Sequence, residues 1–107
     1  MALSTHVLDL SSGTPAAGIP VSLSKDGMVL GSGFTDSDGR YADFFTDAEL
    51  TPGQYQLSFD VADYFSGQST DTFYSTIPVV FHIQDSTRHY HVPLLLSPYG
   101  YSTYRGS

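Results

Sequence analysis

Turn-forming residues interrupt the chain at short intervals and leave segments too short for most helices. Asp-Gly occurs at residues 26–27 and 38–39, Pro-Gly at residues 52–53 and Ser-Pro at residues 97–98. The segments between them are rich in Val, Ile, Leu, Tyr, Phe and Thr, which favour strands. Many short strands between turn signals are typical of an all-β sandwich or barrel. Because the chain has 107 residues, we expect one domain over residues 1–107.

Alternating polar and apolar residues predict the individual strands. The predicted strands span residues 5–10, 19–24, 28–35, 54–60, 78–83, 89–96 and 99–104. Asp26 and Gly27 are typical of a tight hairpin turn, because glycine adopts positive φ at no steric cost. Residues 61–68 are the one predicted helix, with Val61, Tyr64 and Phe65 at helical spacing.

The charge balance argues against several classes of partner. The formal net charge is −7, and only four residues are Lys or Arg. Binding to nucleic acid or to an anionic membrane needs clustered cations, so neither partner is expected. No apolar stretch is long enough to span a membrane, and no secretory signal is visible, so we expect a cytoplasmic protein. The absence of cysteine excludes a disulfide framework and a thiol nucleophile.

Four histidines are the main candidates for chemistry: His6, His82, His89 and His91. His89 and His91 are two residues apart on a predicted strand, so they should share one sheet face, with Tyr90 on the other. One interpretation is a metal site with His6 or His82 as the third ligand. A second is an acid/base or hydrogen-bonding cluster. A third is that the histidines lie at a sheet edge or an interface and have no catalytic or metal-binding role.

Arg40 follows an Asp-rich turn at residues 36–39. The turn resembles a calcium loop superficially, but it lacks the alternating acidic ligands and the final Glu of an EF-hand. Two interpretations of Arg40 stay open. It is either an ordinary surface side chain, or its planar guanidinium binds carbonyl or carboxylate oxygens.

The last predicted strands have an unusually apolar and aromatic sequence. Residues 92–107 read VPLLLSPYGYSTYRGS, although chain ends are usually polar and frayed. Because neighbouring residues on a strand face opposite sides, Leu94, Leu95 and Leu96 cannot all face one core. The outward side is covered either by a second subunit or within the monomer. We expect the tail to be packed in either case.

Two long motifs resemble those of the transthyretin-related family. The first is LSTHVLD at residues 3–9, followed by GTPA at 13–16 and IPVSL at 19–23. The second is YHVPLLLSPY at residues 90–99. The final YRGS at residues 104–107 is similar to the tetrapeptide of the enzyme branch of that family, the 5-hydroxyisourate hydrolases, which the thyroid-hormone carriers lack. The resemblance covers nearly the whole chain.

The resemblance implies a transthyretin-like sandwich of two four-stranded sheets with one short helix. It implies a homotetramer, a dimer of dimers, with active sites in a channel between the dimers. The implied reaction is hydrolysis of 5-hydroxyisourate to 2-oxo-4-hydroxy-4-carboxy-5-ureidoimidazoline in urate degradation, with no metal or organic cofactor. The catalytic positions that it implies are His6, Arg40, His91 and Ser107, and the substrate-binding positions are Arg40, Tyr104 and Ser107.

Two other functions stay open as alternatives. A transthyretin-type carrier would bind a small ligand in the same channel without catalysis, and an adhesive sandwich would have no chemistry. The terminal YRGS and the joint presence of His6, Arg40 and His91 favour the hydrolase. His82 and His89 match no catalytic position of the family, and we expect them to be structural or to support other residues.

Overall fold

A computed structural model describes residues 3–42, 44 and 50–106 of the chain. Those residues contain nine strands and one short helix. The elements in chain order are β1 Leu3–Asp9, β2 Thr14–Pro15, β3 Pro20–Lys25, β4 Met28–Phe34, β5 Arg40–Tyr41, β6 Gly53–Asp60, α1 Ala62–Ser66, β7 Thr76–Ile83, β8 Tyr90–Ser97 and β9 Gly100–Thr103. The predicted strands and the predicted helix are all found, with boundaries that differ by a few residues.

The strands form two sheets. The first sheet has the order β2-β1-β8-β9, with β5 also paired to β1, and the second has the order β4-β3-β6-β7. The expected two-sheet sandwich is confirmed. The first sheet has five strands instead of four, because the two-residue strands β2 and β5 share the same edge of β1. Within this sheet β1 and β8 are parallel, whereas β8 and β9 are antiparallel.

Alternation along each long strand separates a buried face from an outer face. In β1, the side chains of Leu3 and Val7 are fully buried, and those of Ser4, His6 and Leu8 are half-buried on the other side. The buried residues of both sheets belong to one hydrophobic cluster, which is the core of the sandwich. The inner faces of the sheets therefore stabilise the fold, and the outer faces are available for binding.

The hairpin between β3 and β4 has the predicted turn. Asp26 and Gly27 have φ values of 54° and 78°, and Lys25 pairs with Met28 across the turn. Positive φ at both central residues is the geometry that suits the right-handed twist of a hairpin. Farther along β4, a Cβ atom at Gly31 would overlap the carbonyl of Phe44, so this strand position requires glycine.

The helix α1 is held against the first sheet by a buried carboxylate. Tyr64 donates a hydrogen bond of 2.7 Å to Asp9, and the backbone N–H and hydroxyl of Ser11 donate bonds of 2.9 and 2.5 Å to the same carboxylate. Burial by itself would raise the pKa of Asp9, but the hydrogen bonds from Ser11 and Tyr64 outweigh it and lower the pKa. Among the described residues, no helix has the length and apolar character needed to cross a bilayer.

The Asp9–Tyr64 hydrogen bond predicts the effect of one hydroxyl on stability. Tyr64→Phe should lower the free energy of unfolding at neutral pH by about 1.5–3 kcal/mol, the usual contribution of a hydrogen bond to a charged group. Urea denaturation measures this loss. Tyr99→Phe, which changes an exposed tyrosine, is the control and should leave stability unchanged.

The same carboxylate predicts how stability depends on pH. The pKa of Asp9 is lower in the folded chain than the ordinary value of an unfolded one. Ionised Asp9 therefore stabilises the fold above its unfolded pKa, and this contribution is lost as the pH falls through the folded-state pKa. The difference in free energy of unfolding between wild type and Asp9→Asn should become smaller as the pH falls. A difference that stays constant down to about pH 2 would contradict this assignment.

Candidate active site

Strand pairing brings four polar side chains of the first sheet together. His6 on β1 is paired with Arg40 on β5, and Ser4 on β1 is paired with His91 on β8. Paired residues on adjacent strands lie on the same face of a sheet, and so do residues two apart on one strand. Since Ser4 and His6 lie opposite the buried face of β1, all four side chains belong to the outer face.

The Ser4 hydroxyl lies between two imidazoles. Its oxygen is 2.8 Å from Nδ1 of His91 and 3.0 Å from Nε2 of His89. His89 and His91 therefore do lie on one side of the sheet, and Tyr90 between them is buried on the other, as the sequence predicts. Sequence reasoning missed Ser4. The available signal was its position two residues before His6 on an alternating strand, which places both side chains on one face.

The C-terminal tail folds back along β8 beside His91. The N–H of Gly106 donates a 2.8 Å hydrogen bond to the carbonyl of His91. A Cβ atom at Gly106 would lie 2.5 Å from Cδ2 of His91, so glycine is what lets the imidazole approach the tail. Arg105 lies over the ring of Tyr90, with 4.7 Å between the guanidinium carbon and the ring centroid. These contacts attach the end of the tail to β8, but the side chains of residues 101–105 are exposed in the single chain. The expected packing of the tail is therefore not found within the monomer, and Ser107 lies outside the described residues.

The electrostatic surroundings of His91 favour its neutral form. Burial lowers the pKa of this imidazole, and the positive charge of Arg40 lowers it further, with smaller contributions from His6 and His89. A neutral imidazole has a free electron pair, which can accept a proton at neutral pH. The arrangement can therefore supply a general base near a cation that could stabilise developing negative charge.

The metal interpretation finds no support in the described part of the chain. There, no group of three or more His, Cys, Asp or Glu side chains is arranged to bind a metal ion. His82 lies on β7 in the second sheet, where its side chain is exposed on the outer face. It lines the same depression as His91, but within the described residues it belongs to no group that could hold a metal ion. The geometry favours the acid/base interpretation of His6 and His91.

The candidate residues lie on an open face and not in one enclosed cavity. Ser4 and Arg40 line one depression of the surface, and His91 and Tyr104 line another. Of the three consecutive leucines, Leu94 and Leu96 are fully buried, whereas Leu95 is only half-buried on the outer face. This outward leucine was predicted, and it gives the candidate site an apolar border.

The chain is similar over nearly its whole length to one group of known proteins. The HIUase/Transthyretin family model matches residues 3–106. The 5-hydroxyisourate hydrolase of Salmonella dublin is 49% identical, over 98% of this chain and 80% of that protein. The 5-hydroxyisourate hydrolase of Mus musculus is 43% identical, over 98% of this chain and 94% of that protein.

Solved structures with the same fold include a hydrolase and a transthyretin bound to thyroxine. The Klebsiella pneumoniae 5-hydroxyisourate hydrolase has a TM-score of 0.89 at 41% identity, with 98% of this chain and 92% of that chain covered. Sea bream transthyretin in complex with thyroxine has a TM-score of 0.89 at 30% identity, with 99% and 95% covered. The backbone alone therefore does not distinguish the two functions, and the side chains of the outer face must do so.

The proximity of Arg40 and His91 predicts a measurable coupling. Arg40→Gln should raise the pKa of His91, because removal of a nearby cation makes imidazole protonation less unfavourable. Titration of the His91 ring protons by NMR measures this shift. Lys25→Gln removes a cation from the hairpin of the other sheet and should leave the pKa of His91 unchanged. An identical His91 titration in wild type and Arg40→Gln would show that the two groups do not interact.

Proposed function

The chain belongs to the HIUase/transthyretin family, and we propose that it hydrolyses 5-hydroxyisourate. The observation that carries the proposal is the convergence of His6, Arg40 and His91 on one sheet face. The names of its relatives support the same activity, since 5-hydroxyisourate hydrolases are 43–49% identical to it over nearly the full chain. A carrier role is the alternative, and its support is the fold shared with a thyroxine-binding transthyretin at 30% identity.

The proposed reaction is the hydrolysis of a cyclic amide. Water adds to a ring carbonyl carbon of 5-hydroxyisourate, and the C–N bond of the ring then breaks. The carbonyl carbon becomes the carboxylate of 2-oxo-4-hydroxy-4-carboxy-5-ureidoimidazoline, and the ring nitrogen gains a proton. This chemistry needs a base for the water, a cation for the developing oxyanion and an acid for the leaving nitrogen. The chain's own side chains supply all three in the proposal, which includes no metal or organic cofactor.

We assign the base to His91 and the acid to His6. Nδ1 of His91 is hydrogen-bonded to Ser4, so Nε2 is the nitrogen left for the attacking water. The lowered pKa of His91 favours the neutral imidazole at neutral pH, and in the tautomer with the proton on Nδ1 the Nε2 atom can accept a proton. His6 pairs with Pro93, the residue two positions beyond His91 along the neighbouring strand, so it lies on the same face to protonate the leaving nitrogen.

Arg40 and the tail complete the proposed substrate site. The Arg40 guanidinium binds the carbonyl oxygens of the substrate and stabilises negative charge as it develops, because its planar fork matches such oxygens. With a net charge of −7, the chain as a whole repels anions, so this cation acts locally. Tyr104 borders the depression that His91 lines and would hydrogen-bond the ring. Ser107 stays a prediction from the family resemblance.

We further propose a homotetramer, a dimer of dimers, in the cytoplasm, each chain being one domain. Two edge strands of the described sheets support the assembly: β9 ends the first sheet and β7 ends the second. Edge strands present N–H and C=O groups that a second copy can pair. The outer faces of the first sheets would then meet between dimers, where the open face with His6, Arg40 and His91 would gain its second wall. Assembly would thereby create the channel that binds the substrate.

The role of His91 predicts a loss of turnover without a loss of folding. Fresh 5-hydroxyisourate is generated from urate, and its ultraviolet decay is followed with and without protein. His91→Asn should lower kcat by about 10²- to 10⁴-fold, the usual contribution of a general base. Ser22→Ala, on the outer face of the second sheet, is the control and should keep wild-type turnover. If the wild-type protein does not accelerate the decay, the carrier alternative is favoured.

The proposed assembly predicts the effect of a charge on the outer face. Leu95→Glu should lower the mass measured by light scattering from four times the chain mass, because a buried carboxylate at the interface is unfavourable. Turnover should fall together with the measured mass, while an unchanged circular dichroism spectrum shows that the chain still folds. Val29→Glu, at an exposed apolar position of β4, should keep the tetramer. A wild-type monomer with full activity would contradict this assembly.

A further inference from the structure

We propose that His89, Ser4 and His91 form a proton relay, which carries the proton taken from water to the solvent-exposed imidazole of His89. The inference rests on the proposed hydrolysis and adds to it two residues, Ser4 and His89, that the family resemblance leaves without a role. The Ser4 hydroxyl contacts both imidazoles, at 2.8 Å from Nδ1 of His91 and 3.0 Å from Nε2 of His89.

A single hydroxyl proton couples the two imidazoles. The Ser4 hydroxyl can donate only one hydrogen bond, although its oxygen can accept others. When it donates to Nε2 of His89, its oxygen accepts Nδ1–H of His91, and Nε2 of His91 is unprotonated. When it donates to Nδ1 of His91, its oxygen accepts Nε2–H of His89, and Nε2 of His91 carries the proton. The tautomer of His91, and thus its ability to act as a base, is tied to that of His89.

The relay moves one proton without consuming any group. Water gives a proton to Nε2 of His91 as its oxygen bonds to the substrate carbonyl carbon. His91 passes its Nδ1 proton to the Ser4 oxygen, and the Ser4 hydroxyl proton moves to Nε2 of His89. Water loses one proton, His89 gains one, and His91 and Ser4 return to neutral forms. His89 then releases its Nδ1 proton to solvent. The starting state is restored when the Nε2 proton of His89 returns through Ser4 to Nδ1 of His91, Nε2 of His91 gives its proton to solvent, and Nδ1 of His89 takes one up.

The surroundings give the transfer a direction. His91 is half-buried, whereas His89 is exposed just before the start of β8. The charged and titratable groups that act on His91 are Arg40 from β5, His6 from β1 and His89 itself. A proton on His91 would lie near the guanidinium of Arg40, and transfer through Ser4 moves it away from that charge to a side chain in contact with water. The relay thus leaves Arg40 free to stabilise the oxyanion.

Variants of the two outer members test the relay. Ser4→Ala removes the bridge, Ser4→Thr keeps its hydroxyl, and His89→Ala removes the acceptor. We expect Ser4→Ala and His89→Ala each to lower kcat by about tenfold or more, a part of the 10²- to 10⁴-fold due to the base. Ser4→Thr should retain activity. Ser22→Ala, on the outer face of the second sheet, is the matched control and should be unchanged.

Chemical rescue separates proton transfer from simple positioning. Added imidazole should restore the kcat of His89→Ala, because a free imidazole can take the proton from Ser4. It should not restore Ser4→Ala, in which the bridge is missing. The double variant should be no slower than the slower single variant, because both changes interrupt one path. Wild-type kcat in His89→Ala, or equal rescue of both variants, would overturn the relay.

A spectroscopic measurement is independent of turnover. The ¹⁵N chemical shifts of the His91 ring report which nitrogen is protonated. The relay predicts that His89→Ala and Ser4→Ala both change this tautomer distribution, whereas Ser22→Ala does not. An unchanged distribution in both variants would overturn the relay. If the wild-type protein does not hydrolyse 5-hydroxyisourate, the proposed function fails, and the ring shifts still decide whether Ser4 couples the two histidines.

Discussion

The parallel pairing of β1 with β8 is the constraint on which both the fold and the candidate site depend. Seven residue pairs join strands that lie more than 80 residues apart in the chain, from Leu3 with Tyr90 to Asp9 with Leu96. The inner face of this pair contributes to the core, and the outer face carries Ser4, His6 and His91. A slip by one residue would reverse both faces, so one register determines stability and chemistry together.

The two ends of this strand pair are fixed by different contacts. At one end, the buried carboxylate of Asp9 accepts hydrogen bonds from Ser11 and Tyr64 and attaches the helix to the sheet. At the other end, the tail returns along β8, and Gly106 lies against the imidazole of His91. The two ends of the strand pair are thus attached to neighbouring elements, and the contact with the tail lies beside the candidate site.

The outer face concentrates basic groups in an acidic chain. Arg40 and three of the four histidines are brought to this sheet, although the protein as a whole carries a net charge of −7. Burial and the cation of Arg40 lower the pKa of His91 and so favour its neutral form. The same cation is available to stabilise an oxyanion. One charge therefore supports two requirements of the proposed hydrolysis. In the proposed tetramer, a second subunit would cover the open face.

The sequence by itself determined the elements that depend on local pattern. The alternation of polar and apolar residues predicted β3 and β6, and Asp26-Gly27 predicted the hairpin turn between β3 and β4. Both signals are local, because side-chain period and turn preference are properties of adjacent residues. The family resemblance supplied His6, Arg40 and His91 as candidates. Only the tertiary structure decided that Ser4 contacts both His89 and His91, and that two-residue strands add a fifth member to the first sheet. These contacts join residues far apart in the chain, and no local pattern encodes the register between distant strands.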